Sequence, residues 1–175
     1  QHNQGADVPF YVTEMGWPSH TGACGISAEK QGQYLARMFL QARAMPFIKG
    51  IWWYDLQNNG TDPSNMQHNF GLLRNDLTPK PAYGALQAIS PLVREGRYVG
   101  DLEVDALGVW VQRFEQGDKS VFAVWGQDGT ACASVRLQSP SYDLDVPVSG
   151  MPALVSVSGD ASATETFSAP CSGWR

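Results

Sequence analysis

Apolar and polar positions follow two different grammars along this chain. In the first stretch, PFYVTEM (9–15) is a nearly continuous apolar run, the pattern of a parallel strand covered on both faces. GWPSHTG, which follows, is turn or loop. Beyond Ser27 the spacing changes: Tyr34, Leu35, Met38, Phe39 and Ala42 recur on one helical face. Ser27 suits the N-cap of that helix, and Glu29 suits the positive end of its dipole. FIKGIWWYDL (47–56) predicts a second strand. A long polar loop, QNNGTDPSNMQHNFGLLRNDLTPK (57–80), leads to a second helix with Pro81 in its first turn and Leu86 and Ile89 facing inward. This β-α-β-loop-α order is the repeat of an α/β barrel or an open parallel sheet.

From about residue 97 the helical period is gone. GVWVQRF, KSVFAVW, ACASVRL, DLDVPV and ALVSVS are short runs of roughly alternating faces, separated by turn signals at EQGDK, QDG and SGMP. They predict a small antiparallel sandwich or barrel. The final FSAPCSGWR shows no closing strand. The expected division is therefore 1–96 and 97–175. Two βα units cannot close a sheet of their own, and a complete (β/α)₈ barrel takes about 250 residues. Either the chain is the C-terminal portion of a longer protein, whose missing N-terminal part supplies the other strands, or a partner supplies them; the first is expected.

Composition narrows the partners. A net charge of −5 with no Lys/Arg cluster argues against nucleic acid or an anionic membrane surface. No apolar run reaches the ~20 residues of a membrane span. Cys24, Cys132 and Cys171 have no metal-ligand spacing, so no metal is expected. A Cys132–Cys171 bridge and three free thiols both remain open.

The chemistry concentrates where apolar runs end. Glu14 closes the first strand, and Trp53 lies near the end of the second. VTEMGWPS resembles strand seven of a clan A glycoside hydrolase barrel, where a Glu at the strand's C-terminal end is the nucleophile. GIWWYDLQNNGTDPSNMQHNFGLLRNDLTPKPAY resembles strand eight and its loop, most of all in bacterial family 39 enzymes and related endoglycosidases of exopolysaccharides. There a Trp closes strand eight, the loop carries an NFGL segment, and KPAY opens the last helix. The trailing β-region is similar to the accessory domain of those enzymes. The fold so implied is α/β plus all-β: the last two βα units of a (β/α)₈ TIM barrel, then a small antiparallel β-sandwich.

That resemblance implies a retaining glycosidase acting on a β-linked polysaccharide or oligosaccharide, secreted or periplasmic, needing no cofactor. Two carboxyl groups ~5–5.5 Å apart suffice for such chemistry, one attacking the anomeric carbon and one protonating the leaving oxygen. Glu14 matches the nucleophile. Trp53 is the expected sugar platform, with Trp52 packing outward against the helices; Trp17, His20 and Asp55 are the further substrate-binding candidates. Strict alternation places Phe10, Val12 and Glu14 on one face of the strand. The resemblance also implies a cis peptide between Trp53 and Tyr54. Gln67 stands where relatives often carry an acidic residue. The acid/base Glu of these enzymes follows an Asn on strand four, and no Asn-Glu pair occurs here. The chain alone is thus expected to be inactive, and a non-catalytic carbohydrate-binding or structural fragment is the rival reading.

Overall fold

The computed structural model describes residues 8–128, 130, 132–139 and 142–158, and the backbone of 171–174. The chain is a mixed α/β protein that divides into two compact units, one running to Ser90 and the other from Pro91. No helix of the described residues is long and apolar enough to cross a membrane.

In the first unit, β1 (Phe10–Met15), α1 (Ala28–Arg43), β2 (Ile48–Trp53) and α2 (from Pro81, running to Glu95) follow in order, and β1 pairs with β2 in parallel. Ser27 caps α1 as its sequence predicts, its Oγ accepting from Lys30 N at 3.2 Å. The buried stripe of α1 is Gln31, Gly32, Leu35, Ala36 and Leu40. This is rotated from the Tyr34–Met38–Phe39 face that hydropathy alone selects. The polar Gln31 is buried with its Nε2 donating to loop carbonyls, while its Oε1 has no hydrogen-bond partner. Ala82, Ala85 and Ile89 are the buried positions of α2 in this unit.

The register of β1 against β2 decides which side chains share a face. Tyr11 pairs with Gly50, Val12 with Ile51 and Met15 with Trp53. Alternation along β2 puts Gly50 and Trp52 on one face, Ile51 and Trp53 on the other. Val12 and Met15 therefore share a face although they lie three residues apart. The register shift between them is a β-bulge, one residue more on β1 than on β2. Strict alternation fails here: Glu14, beside Met15, is carried away from Val12 and toward the Tyr11–Trp52 side.

That side is open. Tyr11 and Trp52 are 54% and 56% exposed, with ring centroids 6.4 Å apart. Gly50 leaves room for them, since a Cβ there would meet the Trp52 ring at 2.8 Å and Tyr11 Cδ1 at 3.1 Å. Trp52 does not pack against the helices as expected. The helix side belongs to Trp53, which packs on Trp17 at 6.0 Å, and Trp17 packs edge-on to Tyr34 of α1 at 5.4 Å.

The long loop after β2 is knitted, not loose. Leu72 N donates to Asp55 O at 3.0 Å, Leu73 N to Leu56 O at 2.9 Å and Asn58 N to Leu73 O at 2.9 Å. The buried Asn58 side chain accepts from Gly71 N at 3.1 Å and donates to Asn69 Oδ1 at 3.3 Å. Asn69 in turn donates to the carbonyls of Asp62 and Asn65. Both asparagines act as loop formers, with their polar atoms spent on the backbone and on each other.

The second unit holds two sheets. β3 (Arg97–Leu102), β4 (Val109–Gln116), β5 (Lys119–Gly126) and β8 (Ala153–Ser158) form one, in the order β3-β4-β5-β8. β6 (Cys132–Ser139), β7 (Tyr142–Pro147) and β9 (Cys171–Trp174) form the other, in the order β7-β6-β9. Val109, Val111, Phe122, Val124 and Val157 of the first sheet share a core with Cys132, Val135, Leu137 and Val146 of the second. The β4–β5 turn is closed by Gly117 at φ +61°, the left-handed conformation that favours glycine. Two strands escape the sequence pattern. β3 is interrupted by a register shift between Tyr98 and Gly100, and β9, which pairs with β6, is four residues long and contains a glycine. Cys132 is disulfide-bonded and Cys24 is free; the Cys171 side chain lies outside the described residues.

Candidate functional site

The C-terminal ends of β1 and β2 lie side by side and define the site. Glu14, Met15 and Gly16 from the first, and Tyr54 from just beyond the second, line a cavity of about 460 Å³ with Gln67 and Phe70 of the long loop. Gly16 is required at this meeting point, because a Cβ would fall 1.9 Å from Tyr54 O. Tyr54 N still donates to Met15 O at 2.8 Å, so the ladder reaches one residue past the last strand position. The chain turns only afterwards, and the cis peptide is accordingly Tyr54–Asp55, not Trp53–Tyr54.

Glu14 is exposed at the cavity wall. No hydrogen bond or ion pair engages its carboxylate among the described residues, which leaves both oxygens available to a guest. The Tyr54 ring packs edge-on to Phe70 at 5.3 Å, and its hydroxyl accepts from Asn59 Nδ2 at 3.1 Å. An aromatic held in this way offers an apolar surface and a polar tip beside a carboxylate.

The other residues singled out by sequence stand elsewhere. Trp53 and Trp17 give their rings to each other, and neither is among the described residues lining the Glu14 cavity. Trp53 Nε1 is buried with no hydrogen-bond partner. His20 Nδ1 accepts from Gly22 N at 3.2 Å, folding its own loop. Asp55 accepts from Leu56 N through Oδ1, a local cap on the start of the long loop. Tyr54, Gln67 and Phe70 were not picked out as a group. Phe70 was visible only through the NFGL segment, and Tyr54 only by counting to the end of the ladder.

Behind the cavity, two buried polar side chains hold the Asn69–Phe70 segment. Gln31 Nε2 donates to Trp17 O at 2.7 Å and to Phe70 O at 3.1 Å. Lys80 Nζ donates to Asn69 O at 2.9 Å and to Ser19 Oγ at 3.1 Å. Burial, with Arg74 nearby, pushes the Lys80 ammonium down to about 8. The loops after β1 and β2 are thereby fixed to both helices.

No protein-family model and no curated protein matches this chain. Among solved structures it is similar to a family 39 glycoside hydrolase from the gut symbiont Bacteroides cellulosilyticus WH2. The two are 28% identical with a TM-score of 0.68, over 86% of this chain and 34% of that one. The chain thus spans about a third of the length of that structure. Fainter likenesses are to GH5_18 from Streptomyces cattleya, in complex with GlcNAc, and to a GH30 endoxylanase from Clostridium papyrosolvens C71. The first is 22% identical at a TM-score of 0.42, over 49% of this chain and 20% of that one. The second is 12% identical at 0.41, over 86% and 39%. At those scores neither carries weight. The resemblance to clan A glycoside hydrolases that the two strand motifs display is shared by the backbone.

Proposed function

We propose that this chain is the nucleophile-bearing part of a retaining glycoside hydrolase that cleaves a β-linked polysaccharide or oligosaccharide. Its first unit supplies the last two βα units of a (β/α)₈ barrel, and its second is an accessory β-sandwich. Glu14 attacks the anomeric carbon, and Tyr54 offers the sugar an aromatic face. The acid/base carboxyl comes from the remainder of the barrel, which also covers the open Tyr11–Trp52 face. Trp53 and Trp17 support the site from the helix side, while His20 and Asp55 shape its loops. Action on extracellular glycans places such an enzyme outside the cytoplasm.

One observation carries this reading. Glu14 and Tyr54 sit at the C-terminal ends of adjacent parallel strands and line a single cavity, the end of a barrel where its chemistry is built. The test is Glu14→Gln in the longer enzyme that contains this chain. Glycan binding should persist while turnover falls by at least ~10³-fold. Near wild-type turnover would remove Glu14 from the chemistry, and binding without turnover in the unaltered enzyme would favour a carbohydrate-binding role.

A further inference from the structure

Asn69 and Phe70 are neighbours in sequence but line different cavities. Phe70 faces the Glu14 site; Asn69 belongs to a second cavity of about 450 Å³, lined also by Ser19, Asn58, Arg74, Asn75 and Lys80. Lys80 is only 5% exposed. Its two hydrogen-bond acceptors, Ser19 Oγ and Asn69 O, are both uncharged and both belong to residues of the same wall. No described carboxylate forms an ion pair with it. The positive charge nearest in effect is Arg74, whose Nη1 donates to Pro79 O at 2.8 Å. Asp76, the acid of this wall, spends Oδ1 on Thr78 N and Thr78 Oγ1.

Burying an ammonium without a counter-charge is costly. An ammonium on a cavity wall, with a guanidinium, hydroxyls and side-chain amides around the same space, is a setting that a small oxyanion completes. A guest oxyanion would accept hydrogen bonds from the remaining Lys80 N–H, from Ser19 Oγ and from the second N–H of the Asn58 and Asn75 amides, and would relieve the repulsion between the two cations. We propose that this second cavity binds a small oxyanion, the carboxylate or sulfate group of an acidic sugar. Both hydrogen-bond acceptors of the buried Lys80 ammonium are neutral, so its charge has no counter-ion among the described residues. The sugar half of the proposal rests on the glycosidase reading; the oxyanion site does not.

The test uses this chain and needs no turnover. Sodium sulfate and sodium glucuronate are titrated by calorimetry and thermal melting, against sodium chloride at equal ionic strength and against glucose. Saturable binding of sulfate or glucuronate, absent with chloride and glucose, is expected. Lys80→Met should weaken it at least about tenfold, and Arg74→Gln, an exposed change that also gives up the hydrogen bond to Pro79 O, should weaken it in the same direction. Glucuronate binding tighter than sulfate assigns a uronate, and the reverse order a sulfate ester or free sulfate. Equal responses to all four solutes, or affinity unchanged in both variants, would overturn the site while leaving the Glu14 assignment untouched.

Discussion

The rings of Tyr54 and Phe70 meet edge-on with centroids 5.3 Å apart, and together they wall the cavity that Glu14 lines. One ring comes from the end of a strand and the other from a loop held by Gln31 and Lys80. The aromatic face beside the carboxylate is therefore positioned from two directions.

Tyr54 and Trp53 should separate cleanly by mutation. In the full enzyme, Tyr54→Ala should raise KM about fivefold to tenfold, the scale of ~1 kcal/mol of lost aromatic contact. Trp53→Phe removes an indole N–H that has no partner. It should leave KM within about twofold and stability within ~1 kcal/mol. Steady-state kinetics and urea melts of both variants check the assignment, and the opposite pattern would return the platform to Trp53.

Gly16 should accept no side chain. The Cβ of Gly16→Ala would lie 1.9 Å from Tyr54 O, a backbone atom that cannot move without disturbing the ladder. A loss of about 1–3 kcal/mol is expected from urea denaturation. Gly84, whose added Cβ meets nothing within 4 Å, is the control: Gly84→Ala in α2 should be neutral or stabilising by up to ~1 kcal/mol.

Lys80 makes stability depend on alkaline pH. Its folded pKa, about 8, lies below the ordinary 10.5. Between these values the unfolded chain binds more protons, so the folded state gains stability as pH rises from about 8 to 10.5 and carries the penalty in full below 8. The gain should approach but not exceed about 3 kcal/mol. The Tyr98 hydroxyl, pushed up to about 12 by burial and the Asp101 carboxylate, acts oppositely above pH 10. The difference between wild type and Lys80→Met cancels that contribution. A pH-independent difference would contradict the burial of a charged Lys80.

The exposed Tyr11–Trp52 face should make this chain sticky. Tyr11→Ser with Trp52→Ser should reduce self-association measured by sedimentation velocity, because exposed apolar strand faces seek partners. A wild-type chain that stays monomeric at high concentration would argue that the face needs no cover.

Much of this organisation is legible in the residues. Continuous apolar runs gave both parallel strands, and Ser27 and Pro81 marked the helix starts, because those signals are local. Glu14 could be singled out because its strand motif and the GIWWYDL motif occur together, in order and at the right spacing. What escaped was non-local. Nothing in VTEM announces a bulge, so alternation grouped Glu14 with Val12, whose face it does not share. Trp52 and Trp53 are chemically alike, and only pairing with β1 tells which faces the helices. Hydropathy cannot pick out Gln31 as buried, because the carbonyls it serves lie in loops elsewhere in the chain. β3 and β9 carry glycines that blur a period of two.

The extra residue in β1 has an evolutionary corollary. Orientation of the carboxylate is set by how four residues of β1 are fitted against three of β2, not by its chemistry. Deleting Thr13 would remove the extra residue, and regular alternation from Val12 would still set the glutamate on the Tyr11–Trp52 side. In relatives of this chain, a one-residue gap at this place would therefore leave the acid facing the same way.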